Sequence, residues 1–383
     1  MLPGSTQEAG RIDTEALLAG IREWVEIETP STDAVAVNTL VALVASQFAC
    51  LGMDVQRVAG RDGRGDHLLA RSPWGQGKPG ILVLGHLDTV WPIGTLARRP
   101  LRLEADKAFG PGTYDMKAGD YVGFAAYRHL VDQGKTTPLA VTFLFVSDEE
   151  VGSPTSRELI EEIARRSRYV LVMEPGRPAG AVVTSRKAIA KFVVTIKGVA
   201  AHAGVAHEQG RSAVVELAHQ ILCLEALTDH ARGITVSVGV IAGGNKGFSN
   251  VVPEHAEAYV DCRAVDATGM EHLVRSVKGL SPKGRDVTVT VTGGVTRPAF
   301  ERTSGVAALY DHAREVAREL GQDLPEVATG GGSDGNFTAA LGIPTLDGLG
   351  AVGAGAHAEH EHILLSSLRP RVELVSRLME TLE

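Results

Sequence analysis

Three short apolar runs, at residues 81–84, 140–146 and 169–173, each stop at a cluster of ionisable side chains. The clusters are Gly85-His86-Leu87-Asp88, Asp148-Glu149-Glu150 and Glu174-Pro175. Runs this short and this apolar read as buried strands, and helical stretches at 117–130 and 157–165 lie between them. Strands alternating with helices predict an α/β domain built on a mostly parallel sheet. In open sheets of that kind ligands gather outside the carboxyl ends of the strands. The three clusters are therefore expected to converge on one rim, which is an active-site arrangement.

The chain has 383 residues, more than one hydrophobic core usually supports, so two domains are expected. The pattern changes near Lys187. From there the order reads strand (189–196), helix (211–227), strand (234–241), strand (257–263), helix (270–280) and strand (286–292). A βαββαβ order closes as a four-stranded antiparallel sheet with two helices, the ferredoxin-like sandwich. Beyond about residue 299 come a helix at 305–320, a glycine-rich loop, a strand near Pro344 and a last helix from Leu365. The expected division is a catalytic domain from 1–186 and 299–383, interrupted by an inserted domain at 187–298.

Composition narrows the partners. A net charge of -8 without any basic tract argues against nucleic acid, which is bound through clustered Lys and Arg. No apolar stretch approaches the roughly 20 residues a bilayer needs, so no membrane partner is expected. The first residues lack a basic segment followed by an apolar one, and a secretory signal is not expected there. Cys50, Cys223 and Cys262 form no Cys-x-x-Cys pair, which suggests neither a disulfide framework nor a thiolate zinc site. A reducing cytoplasm suits such a chain.

The clusters carry the chemistry. His86 and Asp88 stand two apart on an extended stretch, so both side chains share a face. One can bind a metal while the other accepts the second imidazole N–H; a buried histidine beside a strand-end aspartate gives the same pattern. Residues 110–117, Gly-Pro-Gly-Thr-Tyr-Asp-Met-Lys, deliver Asp115 just before a helix, as a ligand or as a helix cap. The adjacent carboxylates 148–150, if buried, must be neutralised, hydrogen-bonded or bound to cations; a solvated loop is the alternative. Glu174 carries the same two readings. His357 follows a glycine-rich loop at 353–356, while His360 and His362 are expected to face solvent and leave open which imidazole binds. Together these positions offer a mixed nitrogen and oxygen donor set suited to zinc with open positions. No G-x-S-x-G elbow or cysteine nucleophile motif points to acyl-enzyme chemistry.

In that order and spacing the motifs GHLDTV, GPGTYDMKAG, SDEEVGS, MEP, GVAAHAG (198–204) and GGGSDGNF resemble the glutamate carboxypeptidase, aminoacylase and desuccinylase family of metallopeptidases, over nearly the whole chain. The resemblance implies two zinc ions, with cobalt or manganese as replacements. One would be held by His86, Asp115 and Glu174 and the other by Asp115, Glu150 and His357, with Asp115 bridging. Asp88 matches the carboxylate that orients the first histidine, and Glu149 matches the general base. His202, on the inserted domain, matches a histidine that stabilises the oxyanion in the neighbouring subunit, which implies a homodimer and gives the insert the role of lid and dimerisation domain. Asn250, Arg263, Arg297 and Gly332 match substrate contacts. Ala118 and Ala358 depart from the family's usual glycine and serine, and neither position is a ligand. The expected activity is cleavage of an amide bond in a small peptide or N-acyl amino acid. A glutamate-type carboxypeptidase is preferred because the Arg297-Pro298-Ala299-Phe300 segment and the glycine-rich loop resemble that branch. An N-acyl amino-acid deacylase of the acetylornithine deacetylase or desuccinylase type shares every ligand, and a non-catalytic metal or peptide-binding protein is a third reading.

Overall fold

Six strands form the larger sheet, in the order Asp54–Val58, His67–Arg71, Val141–Val146, Gly80–His86, Ser167–Val172 and Thr345–Leu346. The computed structural model describes residues 12–75 and 77–383. The last four strands of the order pair in parallel, and the first two join antiparallel at one edge. Sequence reasoning identified the parallel strands and passed over the two antiparallel strands and a small hairpin, Arg102–Glu104 with Lys107–Phe109.

Side chains alternate across this sheet between two apolar layers. Ile81, Val83, Phe143, Phe145 and Leu171 enter one layer, and Leu82, Leu84, Leu144, Val146, Val170 and Val172 enter the other. Both faces are covered, which is why each strand reads as an unbroken apolar run rather than an alternating one. The first layer is filled by the helices Thr14–Val25, Ala34–Cys50 and Ala118–Asp132, whose Trp24, Phe48, Tyr121 and Phe124 meet Phe145 and one another at ring-centroid distances of 5.1 to 6.4 Å. Asp33 caps the second helix by accepting from the backbone of Val35 and Ala36.

The chain divides into two compact units, one of Met1–Ser185, Arg302–Ala328 and Ser333–Glu383, the other of Arg186–Glu301 and Thr329–Gly332. The short segment Thr329–Gly332 groups with the second unit, although its neighbours on both sides belong to the first. The second unit holds a four-stranded antiparallel sheet in the order Thr235–Gly243, His255–Ala264, Ala188–Lys197 and Thr288–Arg297. One face of it, including Ala190, Phe192, Val194, Ala258, Val260 and Cys262, is buried in a core shared with the helices Ala213–Glu225 and Ala267–Lys278. Alternate residues such as Lys191, Glu257 and Tyr259 escape that core, which gives these strands their mixed composition. Among the described residues no helix is long and apolar enough to cross a membrane.

Candidate metal centre and active site

The strand Gly80–His86 ends at His86, which is 1% exposed. Its Nδ1 lies 2.9 Å from the Asp88 carbonyl oxygen and 3.5 Å from the Asp88 carboxylate, two acceptors that hold the proton on Nδ1. Nε2 is thereby left as the donor atom for a metal, the arrangement expected of a ligating imidazole. Asp88 is fully buried and does more than orient His86. Its carboxylate accepts from Ser31 Oγ at 2.6 Å and from the backbone N–H groups of Glu149 and Glu150 at 3.2 and 3.3 Å. One side chain thus fixes both the imidazole and the two glutamates.

Asp115 sits where the chain leaves a tight turn, and the helix Ala118–Asp132 begins three residues later. One of its carboxylate oxygens is 3.2 Å from His86 Nε2 and the other is 3.3 Å from His357 Nε2. His357 Nε2 is also 3.0 Å from Glu150 Oε2, and His86 Nε2 is 3.9 Å from Glu174 Oε1. His86, Asp115 and Glu150 bring donor atoms within 4.8 Å of one another, and so do His86, Glu149 and Glu174. Glu174 is presented at the end of Ser167–Val172 because two glycines close behind it. A Cβ on Gly119 would meet the Met173 carbonyl oxygen at 2.0 Å, and one on Gly350 would meet it at 2.3 Å. Only glycine allows that approach.

Asp148, the first of the three adjacent acids, is a support rather than a donor. It accepts from the Thr155 backbone N–H at 2.7 Å and from the Thr155 and Ser156 hydroxyls at 2.7 and 2.5 Å, which turns the loop that carries Glu149 and Glu150. Sequence reasoning missed Glu361. This side chain, 1% exposed, accepts from Trp91 Nε1 at 2.7 Å and from the backbone N–H groups of Gly112, Tyr114 and Asp115 at 2.9, 2.9 and 3.1 Å. It clamps the turn that delivers Asp115, and the only local hint was an acid between two histidines. His362 also departs from expectation. It is buried on the strand His362–Leu364 and packs against the Phe109 ring at 4.9 Å, whereas His360 is exposed as anticipated.

The electrostatics call for cations. Burial alone would depress His86, yet the carboxylates of Asp115 and Asp88 override it and hold the imidazole well above its ordinary range. Asp115 and Glu150 together push His357 up to about 10. Burial raises Glu150, and one of its buried oxygens, Oε1, has no hydrogen-bond partner. Protons crowd onto imidazoles here because the carboxylates lack sufficient positive charge, a deficit that bound cations remove. The nitrogen and oxygen donors, the orphaned Glu150 oxygen and the second acceptor behind His86 all fit a zinc-type metal.

The residues expected to touch substrate lie in the second unit. His202 is exposed on the two-residue strand Ala201–His202, which pairs with Val251–Val252, and its Nδ1 accepts from the Gly204 N–H at 3.2 Å. Asn250, also exposed, accepts through its backbone carbonyl from Ala203 at 2.8 Å. Arg263 sends two of its donors to Asp261 at 2.8 and 3.2 Å and a third to the Gly330 carbonyl at 2.7 Å. Arg297 is 5% exposed and packs against Gly332, where a Cβ would stand 2.8 Å from its Cδ. Arg186, fully sequestered, donates to the carbonyls of Gly331 and Gly332. The structure therefore gathers Arg186, Arg263 and Arg297 around one glycine loop.

The chain resembles known peptidases in sequence and in fold. The chain matches peptidase family M20/M25/M40 over residues 82–381. It is 32% identical to carboxypeptidase G2 of Pseudomonas sp. strain RS-16, across 97% of this chain and 90% of that one. It is 26% identical to succinyl-diaminopimelate desuccinylase of Acinetobacter baylyi, across 89% and 92% of the two chains. Among solved structures, the aminopeptidase PepT of Bacillus cereus superimposes with a TM-score of 0.77 at 25% identity, covering 96% of this chain and 98% of that one. The M20 family metallo-carboxypeptidase Sso-CP2 of Sulfolobus solfataricus shares the fold with a TM-score of 0.73 at 18% identity, covering 96% and 99%. With a match to the family over residues 82–381 and a relative at 32% identity, the chain belongs to peptidase family M20/M25/M40 and is a metallopeptidase of the amidohydrolase kind.

Proposed function

We propose that the protein is a two-zinc carboxypeptidase of the glutamate type, releasing a C-terminal amino acid from a small peptide or an N-acyl amino acid. The observation that carries this reading is Asp115, whose two oxygens each face an imidazole, at 3.2 and 3.3 Å. His86, Asp115 and Glu174 would hold one ion and Asp115, Glu150 and His357 the other. When bound, the ions supply a water of lowered pKa and polarise the scissile carbonyl. Glu149 accepts a proton from the attacking water and returns it to the departing amine. His202 donates a hydrogen bond to the developing oxyanion: with Nδ1 accepting from Gly204, the ring proton sits on Nε2.

Glu149 tests the assignment, because its carboxylate also comes within 4.8 Å of donors on His86 and Glu174. Glu149→Ala should keep its metal content while turnover falls by about 10²-fold or more. A variant that loses metal instead would reverse the roles of Glu149 and Glu150. The likeness to a carboxypeptidase at 32% identity supports the glutamate-type reading over the deacylase one, which the desuccinylase likeness at 26% keeps as the second reading. Both classes of substrate end in an α-carboxylate, for which Arg297 beside Gly332, together with Arg263, is the proposed receptor. Equal rates on free and C-terminally amidated substrates would exclude that receptor.

His202 is proposed to act across a homodimer. Mixing His202→Ala with Glu149→Ala, each nearly inactive, should restore about one quarter of wild-type activity after random subunit exchange, since each mixed dimer has one intact site. No recovery despite demonstrated exchange, or an active monomer, would sink the assignment. A cytoplasmic setting fits three cysteines that are all unpaired.

A further inference from the structure

The last helix, Leu368–Thr381, starts without a side-chain cap on its first turn. On that turn Arg371 is 4% exposed. Its Nη2 donates to the Gly180 carbonyl at 2.6 Å, while Nη1 is buried with no hydrogen-bond partner. A buried guanidinium normally pairs with a carboxylate, because an uncompensated charge away from water costs several kcal/mol on the order-of-magnitude scale for buried ions. Among the described residues no acid pairs with Nη1. Asp106 is taken up by Ser366, whose backbone N–H and hydroxyl it accepts at 2.8 and 2.5 Å, and Asp323 is exposed.

Arg371 instead lines a cavity of about 290 Å³, together with Gly180, Gln322, Ser366, Ser367 and Asp323, the one acid of the lining. The cavity combines room for a small ion with a buried guanidinium nitrogen that has no hydrogen-bond partner. We infer that it is a binding site for a small oxyanion, a phosphate or a carboxylate, which supplies the missing partner of Arg371. The site is separate from the metal-ligand cluster but mechanically close to it. Arg371 Nη2 would stand 2.7 Å from a Cβ on Gly176, two residues past Glu174, and the Gly176 carbonyl accepts from the Tyr114 hydroxyl at 3.0 Å, next to Asp115. Filling the cavity steadies the loop that presents Glu174.

The test compares zinc-loaded wild type with Arg371→Met, which keeps length and removes charge, by thermal unfolding in increasing phosphate or acetate at fixed pH and ionic strength. Anions that reach the metals affect both chains alike, so the difference between them reports the cavity. Wild type should rise saturably, on the order of 5 °C at a hundredfold excess over the dissociation constant, and Arg371→Met should lack that component. The anion that saturates at lower concentration identifies phosphate or carboxylate as the fitting chemistry. Equal responses of the two chains, or no saturable response in wild type, would overturn the inference. Should Arg371→Met fail to fold, wild-type crystals soaked in arsenate decide: an anomalous peak beside Arg371 supports the site, and its absence refutes it.

Discussion

Replacing Glu361 with glutamine asks whether Asp115 is held by its neighbours. The change preserves size and one carbonyl oxygen but turns the other oxygen into an NH2 group. In wild type, Oε1 accepts from the Tyr114 and Asp115 N–H groups and Oε2 from Gly112 N–H and Trp91 Nε1. Either orientation of the amide therefore leaves two buried donors facing another donor. At about 1–3 kcal/mol for each buried group left unsatisfied, the gross loss is about 2–6 kcal/mol. Burial of the charge, which pushes the Glu361 carboxyl up to about 7, returns part of that once the charge is gone. We expect a net loss of about 2 kcal/mol in unfolding of the metal-free protein, and a metal affinity lowered by roughly 10- to 100-fold, the range seen when a ligand's support is removed. Urea unfolding and a zinc titration against a competing chelator measure the two quantities. A glutamine variant with an unchanged midpoint and zinc affinity within about threefold of wild type would show that the turn holds Asp115 without the clamp.

Asp88→Ala removes the acceptor of three hydrogen bonds, from Ser31, Glu149 and Glu150; zinc affinity should fall by about 10- to 100-fold, and unchanged affinity would mean the His86 contact to the Asp88 carbonyl suffices. Chelation should abolish activity and lower the thermal midpoint through repulsion among Asp115, Glu150 and Glu174, with both restored by zinc at a stoichiometry near two per chain; full activity after exhaustive dialysis would defeat the metal mechanism. Cys262 is fully buried, with its thiol pushed up to about 12 by burial, whereas Cys50 is exposed. A thiol reagent at pH 8 should therefore label Cys50 and spare Cys262 until the chain unfolds, and peptide mapping that finds Cys262 labelled early would contradict the core assigned to the second unit.

The parallel strands and the clustered candidate ligands were legible because one cause produces both signals. A strand covered on two faces must be apolar throughout, and the first polar residues after it stand at the sheet's rim. His86 and Glu174 both follow that logic. The antiparallel strands Asp54–Val58 and His67–Arg71 escaped because polar residues interrupt or bound their apolar runs, Asp54, Gln56 and Arg57 in the first and His67 and Arg71 in the second. Glu361 escaped for a different reason. Its partners lie about 250 positions earlier and are mostly backbone N–H groups, which no pattern of side chains can announce.

The arginines of the second unit show how far the same reasoning can be pressed. Residues two apart on a strand share a face, the rule that placed Asp88 beside His86. Asp261 and Arg263 stand in the same relation on His255–Ala264, and they do form a two-point pair, at 2.8 and 3.2 Å. That fork is filled by its own strand before any ligand arrives, so a substrate carboxylate at Arg263 would have to displace or share Asp261. Asp261→Ala, which frees that fork, should therefore lower KM for free-carboxylate substrates if Arg263 receives them. A raised KM would mean that Asp261 instead holds Arg263 in place for the ligand.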